Sequence, residues 1–168
     1  VYERDYEKTC QFTTQRECAA LGTTEQSIEF RKGILCSADE LGTNCAATEK
    51  TTCVEGKDGV YFVDSCGNVA NIYDANKKRD KDYWKTVYNA DESCGSTSQN
   101  GNANSASCGN CDYYSGSTCK PYQRNVDTRP NMGDNICRDL ACTYQGPRYD
   151  HGETWCVKNT NKGYVPGS

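Results

Sequence analysis

The chain predicts a small disulfide-rich fold, α+β or mostly β, loop-rich, with short helices and β-hairpins. Three observations predict it. The first is 13 cysteines in 168 residues, a density that belongs to an oxidising compartment, where disulfides take the place of a large core. The second is the scarcity of aliphatic bulk: Leu, Ile, Val and Phe number 20, about 12 %, below the roughly 20 % at which ordinary chains tend to disorder. Ordering a residue costs on the order of 1–2 kcal/mol in backbone entropy. So few aliphatics cannot offset that by burial, whereas each disulfide typically adds about 2–4 kcal/mol. The third is punctuation: capping boxes and glycine turns separate short apolar runs. Twelve tyrosines and two tryptophans supply bulk that packs while keeping a polar end wet.

The elements follow in order. Thr14-Gln-Arg-Glu17 is a capping box and Gly22 stands at a C-cap position, which predicts a helix over 15–21 with Cys18 and Leu21 on one face. Ser37-Ala-Asp-Glu40 repeats the box for about one turn, closed by Gly42. Residues 51–65 read as a hairpin, with a Gly56-Lys-Asp-Gly59 turn before the β-prone Val60-Tyr-Phe-Val63, and with Cys53 and Cys66 placed to clamp its ends. Residues 74–90 are charge-rich and predict a solvated helix carrying Tyr83, Trp84, Val87 and Tyr88. Residues 137–144 and 149–157 read as two strands around Gln145-Gly-Pro147, with Pro147 in the turn, where its missing N–H costs little.

Residues 95–107 contain no apolar side chain larger than Ala, so they mark a boundary or a long exposed loop. One division is an acidic part, 1–93, a linker, 94–107, and a cysteine-rich hairpin part, 108–168; a single compact domain is the equal alternative. Residues 1–93 carry a net charge of −5 and six cysteines, Cys10, Cys18, Cys36, Cys45, Cys53 and Cys66. Residues 94–168 carry +1 and seven, Cys94, Cys108, Cys111, Cys119, Cys137, Cys142 and Cys156. All 13 are candidate disulfide cysteines. If bridges stay within each part, the odd sulfur lies in the second, with Cys156 or Cys94 the first candidates and a partner in another chain or beyond Ser168. A start at Val1 without a leader fits a processed product or a piece of a longer chain.

Chemistry-bearing motifs are sparse. Cys108-Gly-Asn-Cys111 has the spacing of redox centres and zinc knuckles, but redox use needs a strand-to-helix setting and zinc a second close pair. Structural disulfides are the expectation. His151, the only histidine, lies in Asp150-His-Gly-Glu153. No G-x-S-x-G or H-E-x-x-H accompanies it, so a turn histidine is favoured over a catalytic one. Residues 74–85 have a faint calcium-loop spacing, but Lys77, Lys78 and Arg79 occupy its centre and Lys85 the place of the bidentate Glu. No metal and no cofactor are expected. Tyr83-Trp84 and Tyr113-Tyr114 could form a platform for sugar rings; packing against disulfides is the competing expectation.

The net charge of −4 without a basic stripe argues against nucleic acid, and no apolar run approaches membrane-spanning length. Residues 108–119, 135–142 and 149–156, with 66–76 and the opening up to Cys10, resemble a cysteine-rich module of large secreted or surface-anchored proteins of uncultured, small-genome archaea. The resemblance implies an extracellular location and a cysteine-rich architecture that in such proteins continues past the equivalent of Ser168 into further cysteines, and brings no activity or catalytic residue. The expectation is a non-enzymatic structural or adhesive module of an extracellular cell-surface protein, a filament subunit in one form. Its partners would be copies of itself or the remainder of a longer chain. The alternative is a secreted, lectin-like module that binds glycan through exposed Tyr and Trp. A weaker rival is a hydrolase or redox enzyme using His151 or Cys108 and Cys111.

Overall fold

A computed structural model describes residues 1–4, 6–22 and 28–154. Its elements are short, as a sequence with so little aliphatic bulk requires. Strands β1 (Tyr2–Arg4) and β2 (Glu7–Thr9) form an antiparallel hairpin. Helix α1 (Gln15–Leu21) begins at the foreseen capping box: the Glu17 N–H donates to Thr14 Oγ1 (3.3 Å), and the Thr14 N–H donates back to Glu17 Oε2 (3.0 Å). The Thr13 hydroxyl also donates to that carboxylate at 2.7 Å. Cys18 is buried, but Leu21 stays exposed, so the inward face is one residue wide.

The second box does not form. The Ser37 hydroxyl instead donates to the Trp84 carbonyl (2.7 Å), and a 3₁₀ turn, Asp39–Leu41, starts uncapped and ends at left-handed Gly42. The hairpin forms as expected from β3 (Lys50–Cys53) and β4 (Val60–Val63), and β5 (Val69–Ile72) extends it to an antiparallel sheet in the order β3-β4-β5. Alternation on β4 buries Val60 and Phe62 completely. The expected Cys53–Cys66 clamp is absent. Cys53 pairs with Val60 at the turn end of the hairpin, whereas Cys66 lies beyond Val63 at the open end, so the two sulfurs sit at opposite ends.

The helix expected over 74–90 gives way to a 3₁₀ turn, Ala75–Lys77, followed by irregular chain, and only Ala90–Cys94 (α2) is helical. The cause lies upstream in β5. Buried Asn71 donates through Nδ2 to the carbonyls of Tyr83 and Thr86 (2.9 Å to the latter), and its Oδ1 accepts the Tyr88 N–H (2.9 Å). Those groups are thereby unavailable to a helical ladder. Residues 84–87 instead meet the 33–38 segment: Leu35 N–H donates to the Lys85 carbonyl (2.8 Å) and Val87 N–H to that of Gly33 (3.0 Å).

Strand β6 (Ser117–Pro121) pairs antiparallel with β7 (Asn135–Asp139), setting Cys119 opposite Cys137. Because β7 is taken by β6, the expected 137–144/149–157 hairpin shrinks to two-residue strands, β8 (Cys142–Thr143) and β9 (Arg148–Tyr149), joined through Pro147. Its far end, 155–157, lies outside the described residues.

One apolar cluster gathers Val60, Phe62, Tyr73, Tyr83, Trp84, Cys111, Cys119, Met132 and Cys137, drawing on chain from both sides of the polar run. Phe62 is its hub, with ring centroids 5.0 Å from Trp84, 5.5 Å from Tyr73 and 6.4 Å from Tyr83. A smaller cluster surrounds Cys10, Cys36 and Cys45. The polar run divides in two. Residues 95–100 are mostly exposed, but 101–107 are buried or half-buried, with the Asn104 N–H donating to the Cys137 carbonyl (2.8 Å) and the Asn131 N–H to that of Ala106 (2.8 Å). Left-handed Gly101 is required there, because a Cβ would lie 2.6 Å from the Asp112 carbonyl and 2.7 Å from Ser117 Oγ.

Five disulfides staple this frame: Cys10–Cys36, Cys45–Cys66, Cys53–Cys119, Cys94–Cys108 and Cys111–Cys137. They are what a protein folding in an oxidising environment carries. Cys53–Cys119 joins the acidic part to the cysteine-rich hairpin part, and Cys94, a first candidate for the odd sulfur, is paired. Cys18 and Cys142 carry thiols, the first buried and the second exposed. Cys156 lies outside the described residues. Among the described residues no helix is long and apolar enough to cross a membrane.

Candidate functional site

The four aromatics singled out from the sequence part company. Tyr83 and Trp84 are 2 % and 4 % exposed and belong to the core. The Tyr83 hydroxyl lies 2.6 Å from Ser93 Oγ, and burial pushes the phenol far above its ordinary value. No ligand can stack on either ring. Tyr113 and Tyr114 are 46 % and 91 % exposed.

The turn that displays them is rigidly built. Asp112 Oδ1 accepts the Tyr114 N–H (3.0 Å), Asp112 Oδ2 accepts the Ser115 hydroxyl (2.6 Å), and the Asp112 carbonyl accepts the Ser117 N–H (3.0 Å). This is the local side-chain-to-backbone bonding by which Asp organises turns. Asp58 Oδ2 accepts the Tyr113 N–H (3.0 Å), tying the turn to the β3–β4 loop. The Tyr113 ring meets Tyr114 edge-on at 5.9 Å and His151 edge-on at 4.6 Å. His151 thus sits in a turn, as expected, against an aromatic ring. It makes no hydrogen bond to a carboxylate among the described residues.

Beside this turn lies an open cleft of about 690 Å³. Tyr114, Ser115 and Gly116 form one wall, β9 with Asp150 and His151 a second, and residues 98–100 of the polar run a third. Arg148 spans the second wall, donating to Asp139 Oδ2 (2.8 Å) and Asp150 Oδ1 (3.4 Å). Two carboxylates therefore face one guanidinium. The sequence reading missed Arg148, Asp139 and Asn100 as site residues, because charged and amide residues near turns look like ordinary solvated surface.

The CxxC is not a functional pair, since Cys108 bonds Cys94 and Cys111 bonds Cys137. Neither sulfur carries a thiol to act as a redox nucleophile or a thiolate to hold zinc. No group of three or more metal-ligating side chains occurs among the described residues. In the stretch with calcium-loop spacing, Asp74 Oδ1 accepts the Asn76 N–H (3.0 Å) and Asp80 Oδ1 the Asp82 N–H (2.9 Å), so both carboxylates serve local turns. Comparison of the chain with protein families, curated proteins and solved structures returns no match.

Proposed function

We propose that the chain is a non-enzymatic structural or adhesive module of an extracellular cell-surface protein, suited to assembly with copies of itself or with further modules of a longer chain. The observation that carries this reading is the covalent cross-linking of distant segments, above all Cys53–Cys119, which spans 66 residues. Such bonding suits a part that must keep its shape where proteases and mechanical load act and where thiols are oxidised. The resemblance to archaeal surface modules is part of this proposal. Cys108 and Cys111 being bonded removes the support for a dithiol redox enzyme.

The test is antibody labelling of intact, unpermeabilised cells that make the protein, with intact mass measured on the recovered material. Surface label, and a mass at least ten hydrogens below the fully reduced value from the five disulfides among the described residues, is the expected result. Label confined to the interior, or quantitative alkylation of the cysteines without reductant, would overturn it.

A second reading, glycan binding, is favoured by one specific observation. Tyr113 and Tyr114, unlike Tyr83 and Trp84, present aromatic surface to solvent beside a polar cleft. An adhesive surface module and a glycan-binding cleft are compatible, the second being a means to the first.

A further inference from the structure

We infer that the cleft beside the Tyr113–Tyr114 turn binds a neutral pyranose, with the apolar face of the sugar on the Tyr114 ring. The inference rests on the glycan-binding reading and names its ligand class and contacts.

Three features of the cleft converge on this chemistry. The first is the platform. A tyrosine 91 % exposed leaves apolar ring surface in water, yet its backbone is fixed by Asp112 and its neighbour is braced against His151. Tyrosine offers large amphipathic contact area at low entropic cost, having two side-chain torsions, and here the turn is ordered before any ligand arrives. Pre-organisation of this kind reduces the cost of binding. A pyranose ring has an apolar face of C–H groups that matches such a surface, and a rim of hydroxyls that must not lose their hydrogen bonds.

The second feature is the supply of partners for those hydroxyls. A sugar hydroxyl both donates and accepts, so its site needs both kinds of group within one small space. Asp139 and Asp150 accept. Arg148 donates: a guanidinium has five N–H groups, and the bonds to the two aspartates occupy Nε and one N–H of Nη2, leaving three for a ligand. The amide of Asn100 adds both functions, its Oδ1 steadied by the Ser98 hydroxyl. A concave site with a few convergent polar groups is the usual form of a small-ligand pocket, and 690 Å³ falls within the roughly 300–1,000 Å³ such pockets span.

The third feature is charge, which decides between sugar classes. Two carboxylates against one guanidinium leave the cleft net negative, so a uronic acid, a sialic acid or a sulfated sugar would bring its anion against Asp139 and Asp150. Neutral pyranoses carry no such penalty.

The experiment is a titration of the oxidised full chain, followed by ¹H–¹⁵N correlation spectra. The probes are the methyl glycosides of glucose, mannose, galactose and N-acetylglucosamine, with methyl glucuronide as the anionic probe. The expected result is a saturable shift of the Tyr114, Ser115, Gly116, Arg148 and His151 amides with at least one neutral glycoside. Affinity should fall at least tenfold in Tyr114→Ala and at least threefold in Arg148→Ala. It should not change in Tyr6→Ala, whose ring is 99 % exposed and outside the cleft. Because Tyr114 packs little, Tyr114→Ala should keep the wild-type spectrum elsewhere, which confirms its fold. Equal affinity in Tyr114→Ala, preference for the glucuronide, or no saturable shift through the solubility range of the sugars overturns the inference. A glycan array run in parallel separates the two levels. Array binding that survives Tyr114→Ala leaves the glycan reading standing and removes this site, whereas an array without any binding removes both.

Discussion

Replacing Asn71 by alanine tests how residues 83–88 are held. Asn71 is 3 % exposed and makes three hydrogen bonds into that segment, donating to the carbonyls of Tyr83 and Thr86 and accepting the Tyr88 N–H. A typical bond of this kind contributes about 0.5–1.5 kcal/mol net, and a buried partner left unpaired costs about 1–3 kcal/mol. Thr86 is exposed and its carbonyl can turn to water, but the bond to the Tyr83 carbonyl is buried. The loss should therefore come to about 3–5 kcal/mol, most of it from Tyr83 and the aromatic contacts its position secures. Urea unfolding reads it as a lower midpoint with an unchanged m-value. Asn71→Asp is the sharper probe. It keeps the shape and the acceptor for Tyr88 but sets a carboxylate against two carbonyls, so it should be at least as destabilising as Asn71→Ala. A cost below about 1 kcal/mol for Asn71→Ala, or an Asn71→Asp protein as stable as wild type, would refute this account of why residues 83–88 are not helical.

Loop-closure entropy orders the disulfides. Cys53→Ala/Cys119→Ala, opening a separation of 66 residues, should cost about 4 kcal/mol, and Cys94→Ala/Cys108→Ala, opening 14, about 3 kcal/mol, so urea midpoints should fall further for the first pair. Gly133→Ala should cost about 3 kcal/mol by thermal unfolding, since φ there is +63° and the added Cβ would lie 2.6 Å from Thr51 Cγ2. The Thr14 N–H and the Thr13 and Thr14 hydroxyls hold the Glu17 carboxyl down at about 2 from an ordinary 4.5. A group depressed in this way contributes stability above its unfolded value, which is lost as pH falls through the folded one. An NMR titration of the Glu17 side chain should show a midpoint near 2, and a midpoint at its ordinary value would remove the capping box from solution.

What could be read from the sequence was local. Helix α1 and the β3–β4 hairpin stand where Thr14, Glu17 and the Gly56–Gly59 turn put them, because caps and turns act within a few residues. Residues 83–88 could not be read in this way, since the groups that fix them come from Asn71 on another strand. Pattern alone gives Tyr83, Trp84, Val87 and Tyr88 a plausible helical face. Disulfide partners were equally hidden: Cys53 and Cys66 flank the hairpin as a clamp would, but Cys53 bonds Cys119 and Cys66 bonds Cys45. The cleft was half legible. Tyr113-Tyr114 drew notice as consecutive aromatics, whereas Arg148, Asp139 and Asn100 become site residues only when three separate segments converge.

The Cys53–Cys119 bond has a further consequence in the dimension of length. If the oxidised chain is pulled from segments outside the bond, the stretch it encloses, a sequence separation of 66, cannot straighten. At about 3.4 Å per extended residue, roughly 220 Å of contour is withheld from extension. Load passes instead across disulfides, Cys53–Cys119 between a strand of the three-stranded sheet and a strand of the neighbouring pair, with Cys45–Cys66 and Cys111–Cys137 on a parallel route. Under oxidising conditions the module behaves as a short, nearly inextensible link, and reduction would convert the same chain into a long, compliant tether.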